Sequence, residues 1–147
     1  MSPNPTLIVA KSFHRGYELC AGNGLSANNG QRNALIPSVV CLAFSIELAF
    51  KSILQSLGIS IYEHDFVKLY EALPENLQAE VIRLSTFENT VFLENLQICS
   101  STFTDWRYIY EKPGYYFNPT SFLLPLQQAV YKIAEDCVEA NRLDKTP

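Results

Sequence analysis

Glu47 and Lys51 are the only charged residues between Asn33 and Gly58, and they stand one helical turn apart with the acid first. That order favours an ion pair along a helix. On a central helix the two cannot both be solvated, so the first reading is a structural salt bridge, because buried charges are normally paired. The competing reading is a ligand or catalytic pocket. Arg107, beside Trp106 and one turn before Glu111, is a third member of this ionic set. A guanidinium binds a carboxylate through two parallel hydrogen bonds, so Arg107 is expected to reach Glu47 across the molecule and fix the register of two helices.

His64 and Asp65 follow a short linker. An imidazole there could cap a helix, shuttle a proton or bind a metal, and a capping or packing role is the simplest of these. No G-x-S-x-G elbow exposes a serine nucleophile, and Gly22-Asn23-Gly24 follows no strand, so it is neither a dinucleotide fingerprint nor a P-loop. Tyr108, Tyr110, Tyr115, Tyr116 and Phe117 crowd one region beside Arg107 and Lys112. Such rings can stack on bases or form a protein interface. Most are expected to fold back and close the end of the core, leaving one or two of Tyr108, Tyr115, Tyr116 and Phe117 for a dimer contact.

Positioning these groups falls to the surrounding elements. The chain has 147 residues, 48% hydrophobic and 18% charged, which suits one domain and excludes disorder. A net charge of −4 gives no global attraction to phosphate backbones or anionic membranes. Cys20, Cys41, Cys99 and Cys137 are scattered, form no CxxC pair, and read as reduced, buried thiols without a metal. The apolar run from Ala34 to Leu57 is interrupted by Glu47 and Lys51 and reads as a core helix, not a membrane span. The start of the chain lacks a signal-peptide pattern, and a cytoplasmic location is expected.

Apolar residues at Leu7, Ala10, Phe13, Tyr17 and Cys20 mark a first helix, and residues 22–33 a polar, mobile loop. Asn33 is the expected cap of a second helix with Pro37 in its first turn. Val39, Leu42, Ile46, Phe50, Ile53 and Leu57 form its stripe, further apolar residues surround it, and Gly58 ends it. Asp65 caps a short helix through Leu73, and Pro74 is the expected first residue of another. Ser85-Thr86-Phe87-Glu88 fits a capping box for a long helix with the stripe Phe92, Leu96, Cys99, Phe103, Trp106 and Tyr110, stopped by Lys112-Pro113-Gly114. Asn118 and Pro119 open a last helix carrying Phe122, Leu126, Val130, Ile133 and Cys137. The expected fold is all-α: one domain over residues 1–147, an antiparallel bundle of four long helices with a short helical insertion.

In order, Glu47-Leu48-Ala49-Phe50-Lys51 on a buried helix, a glycine-ended turn, His64-Asp65 opening a short helix through Leu69, and Phe103-x-x-Trp106-Arg107-Tyr108-x-Tyr110-Glu111 resemble a HEPN domain (higher eukaryotes and prokaryotes nucleotide-binding) over about residues 34–139. The resemblance implies a helical bundle that often dimerises and occurs in toxin–antitoxin pairs, phage defence and RNA processing. Many members are metal-independent ribonucleases using an arginine followed, after four to six residues, by a histidine. Here the corresponding windows hold Cys20-Ala21-Gly22 after Arg15, Pro37-Ser38-Val39 after Arg32, Glu88-Asn89-Thr90 after Arg83 and Lys112-Pro113-Gly114 after Arg107, and Arg142 lies too near the end. The expectation is therefore a noncatalytic binding or regulatory module without cofactor or metal, homodimeric or paired with a separately encoded companion. Two alternatives stand beside it: a divergent ribonuclease site built from Arg107 and His64, and a nucleotide or phosphate pocket at Glu47, Lys51 and Arg107.

Overall fold

The computed structural model describes residues 4–22, 34–111 and 119–145. Every regular element among them is helical: α1 (Pro5–Gly22), α2 (Leu35–Ser56), α3 (Phe66–Glu71), α4 (Glu75–Ser85), α5 (Asn89–Ile98), α6 (Thr102–Arg107), a 3₁₀ turn (Ile109–Glu111) and α7 (Thr120–Asp144). The loop expected at 22–33 lies, beyond Gly22, outside the described residues, as do Asn33, Asn118 and the stop at Lys112-Pro113-Gly114.

α2 is the axis of the molecule. Val39, Leu42, Ile46, Phe50, Ile53 and Leu54 are fully buried, whereas Leu57, the last member of the expected stripe, is exposed. It packs against α1, α3, α6 and α7, which explains why it is apolar almost all round. It is also the one described helix long and apolar enough to cross a membrane, and its surface is mostly covered by the other helices. Contacts between Thr6 and Gln55, Phe13 and Phe44, and Gly16 and Cys41 show that α1 runs antiparallel to it. Gly16 marks a close approach of α1 to α2, since a Cβ there would lie 3.3 Å from the Cys41 Sγ, a tight contact. Lys11 meets Glu135 and His14 meets Tyr131, so α7 also runs antiparallel to α1.

The end of α2 follows directly from the sequence. Gly58 takes φ +76°, its amide donates to the Gln55 carbonyl at 3.0 Å, and the Ile59 amide donates to the Leu54 carbonyl at 2.8 Å. These two bonds satisfy carbonyls that the helix would otherwise leave open. Asp65 caps α3 as expected, whereas Pro74 caps α4 from just outside it, its carbonyl accepting from Leu77 and Gln78.

Two expectations fail between residues 85 and 111. The capping box does not form: the Ser85 hydroxyl donates to the Ile82 carbonyl, Thr86 turns left-handed at φ 64°, and Glu88 precedes α5 without a side-chain cap. The long helix is broken at Cys99–Ser101 and again at Tyr108. The apolar stripe survives because three-residue turns, such as the bond from the Thr102 amide to the Cys99 carbonyl, keep the same face inward. Phe92, Leu96, Cys99 and Trp106 are buried, while Tyr110 is exposed. The four cysteines are free, with Cys99 buried.

Gly58→Ala should lower stability by about 1 kcal/mol, because nothing crowds the position and only the left-handed backbone opposes a side chain; a urea titration checks this. Burial pushes the Cys99 thiol up from 9.0 to about 12. The folded state thus retains a proton that the unfolded chain releases, so this stabilising contribution is complete below pH 9 and is lost as pH rises toward 12. Denaturation at pH 7.5 and at pH 10.5 should show the stability gap between the parent and Cys99→Ala narrowing at the higher pH.

Candidate functional site

Glu47 projects from the middle of α2 and is 1% exposed. Its Oε1 accepts from Lys51 Nζ at 2.8 Å and lies 2.8 Å from His64 Nδ1. Its Oε2 is buried and has no hydrogen-bond partner. Lys51 is mostly buried at 18% side-chain exposure, whereas His64 is 65% exposed. One carboxylate oxygen thus ties α2 to the segment that leads into α3. An ionised carboxylate only accepts hydrogen bonds, so the imidazole donates from Nδ1, and in its neutral form the ring then carries its lone pair on Nε2.

The position of His64 is set by its neighbour. Asp65 Oδ1 accepts from the amides of Val67 at 2.9 Å and Lys68 at 3.2 Å, and its carbonyl accepts from Leu69. The remaining amide at the start of α3, that of Phe66, donates to the Ser100 carbonyl at 3.1 Å, and the Ser100 hydroxyl donates to Asp65 Oδ1. The open amides of Phe66, Val67 and Lys68 in the first turn of α3 therefore all have partners, and the break between α5 and α6 supplies one of them. His64 caps nothing; Asp65 does the capping and leaves the imidazole free to turn toward Glu47.

Arg107 does not reach Glu47. Its guanidinium lies over the Phe103 ring at 4.3 Å and near the Tyr108 ring at 5.4 Å, and the residue is exposed. The expected partnership fails because His64 and Lys51 already occupy the accessible carboxylate oxygen, and because α6 is a short helix with its own exit after Arg107. Phe103, one turn earlier on α6, offers a nearer surface. The two groups expected to meet at Glu47 therefore stand apart, and Glu47, Lys51 and Arg107 do not converge on one ligand. Glu111 is exposed in the 3₁₀ turn.

Phe103 is the residue that the sequence reading missed as part of the site. It stacks on Phe44 of α2 at 4.8 Å, and Phe44 meets Phe13 of α1 edge-on at 4.5 Å. His64 lies 6.2 Å from the same Phe103 ring. His64 and Arg107 are thus brought to one aromatic plate anchored in the core. The signal was present as the four-residue spacing of Phe103 and Arg107, but a ring in an apolar stripe is indistinguishable from ordinary core. Beside the imidazole, Glu63, Asp65, Ser101 and Thr104 line a shallow recess of about 170 Å³. Tyr108 and Tyr110 are exposed and 6.4 Å apart, so these two rings do not close the core; Tyr115, Tyr116 and Phe117 lie outside the described residues. No cluster of three or more metal-ligating side chains occurs among the described residues.

Lys51→Met should cost about 3–5 kcal/mol, because it strips the cation from a buried carboxylate, whereas Arg107→Ala should cost less than about 1 kcal/mol, the worth of an exposed cation over a ring. Urea titrations of the two variants check this, and equal losses would contradict the assignment. No family model matches this chain, and neither a curated protein nor a solved structure does.

Proposed function

We propose that this chain is a noncatalytic HEPN-like module that works by binding, with Arg107, Tyr108 and the exposed edge of His64 as its contact face. Within this reading α1, α2 and α7 are three limbs of an antiparallel bundle, α5 and α6 together are a broken fourth, and α3 and α4 are the insertion. The module acts in the cytoplasm as a homodimer or with a separately encoded companion.

The carrying observation is the release of Arg107 from the core. The buried carboxylate is held by Lys51 and His64, which leaves the guanidinium exposed on an aromatic plate beside Tyr108. Arginine and tyrosine in this setting combine a large contact area with directional hydrogen bonding, as interface anchors do. The absence of histidine from every window of the family's nuclease motif favours binding over cleavage.

A second reading has its own observation. His64 and Arg107 both lie near the Phe103 ring, and an imidazole with a guanidinium is a pair suited to proton transfer and charge stabilisation at a phosphodiester. Mixed RNA incubated with the purified chain decides between the two. Binding alone predicts intact RNA with both the parent and His64→Ala; cleavage by the parent that His64→Ala abolishes would replace the first reading with the second. Native mass measurement on protein purified from its own cells should show a dimer or a retained companion, and Arg107→Ala should weaken that association while melting like the parent.

A further inference from the structure

We propose that His64 Nε2 is a nucleophile that accepts a phosphoryl group from a small acyl phosphate, making this residue a covalent modification site. Three observations meet there. Glu47, buried and fixed on α2, holds Nδ1 at 2.8 Å, a contact that in the neutral ring selects the tautomer with its proton on Nδ1. The imidazole is 65% exposed, so the nitrogen with the lone pair is not enclosed by the protein. Lys51 already supplies the carboxylate's counter-charge at 2.8 Å, so holding the ring in place does not require it to be an imidazolium. A fixed tautomer with an accessible lone pair is the arrangement that makes imidazole an effective nucleophile.

In the step itself, the Nε2 lone pair forms an N–P bond while the bond from phosphorus to the acyl oxygen breaks, and its electron pair leaves on the carboxylate product. The ring gains one positive charge, its proton stays on Nδ1, and Glu47 faces that charge directly. No oxidant or further proton donor is needed. Ser101 and Thr104, both hydroxyl-bearing, line the recess beside the ring. The two carboxylates of the recess are already engaged: Asp65 accepts from Ser100 and two amides, and Glu63 lies 3.5 Å from Lys68 Nζ.

The modification would place negative charge near the Phe103 ring that also carries Arg107, and so change the charge of the contact face. That consequence rests on the binding reading; the covalent step does not.

The test uses the full chain and acetyl phosphate, with acid-labile phosphoryl groups mapped by mass spectrometry and followed over time. His64 in the folded chain should be labelled about tenfold or more faster than His14 and than His64 in the urea-unfolded chain, and Glu47→Gln should remove most of that advantage. His64→Gln should lose the adduct at this position and no other. Labelling of His64 no faster folded than unfolded overturns the proposal, even if Glu47→Gln fails to fold. That result leaves the binding reading standing, because the effect of Arg107→Ala on association is measured separately.

Discussion

A carboxylate placed in the apolar middle of α2 sets the terms for everything around it. Glu47 is almost inaccessible to water, and an ionised carboxyl in that position is tolerable only with opposite charge and hydrogen bonds close by. Lys51 answers from one turn along the same helix, and His64 answers from a segment distant in sequence. The first contact is local and costs the chain no loop closure. The second pins the segment after Gly58 against the core and so fixes where α3 begins.

From that anchor the remainder of the site follows. Asp65 caps α3, Ser100 completes the cap from the break between α5 and α6, and the break brings α6 against α2 with Phe103 on Phe44. Each joint uses a backbone or side-chain group that would otherwise lack a partner. The break between α5 and α6 therefore serves the start of α3: a continuous helix through Ser100 would turn that carbonyl back on its own axis and leave the Phe66 amide open. Arg107 comes out on the surface because α6 ends there, and its guanidinium finds the nearest electron-rich face.

Charge is distributed accordingly. The molecule keeps its buried ionic pair small and local, and exposes arginine, histidine and tyrosine together on one edge. A face of this kind suits recognition, since polar groups already oriented by a rigid interior lose little freedom on contact. The same contact with Glu47 orients the His64 ring while leaving it 65% exposed.

Local interactions were written in the sequence. The apolar circumference of α2, the glycine that ends it, the Asp65 cap, the Glu47–Lys51 pair and the stripe of α7 all depend on residues within a turn or two of one another, where spacing alone dictates which groups meet. The tertiary structure decided the rest. Arg107 was the expected cross-chain partner of Glu47 and His64 was read as a cap, a proton shuttle or a metal ligand; only the path of the chain after α2 decided that the imidazole meets the carboxylate and the guanidinium does not. The break at Cys99–Ser101 was hidden because a three-residue turn preserves the phase of the stripe, so hydrophobic periodicity is blind to it. Ser85-Thr86-Phe87-Glu88 carries the pattern of a helix start, yet the Ser85 hydroxyl was taken by the preceding helix, a competition between neighbours that one-dimensional spacing does not rank.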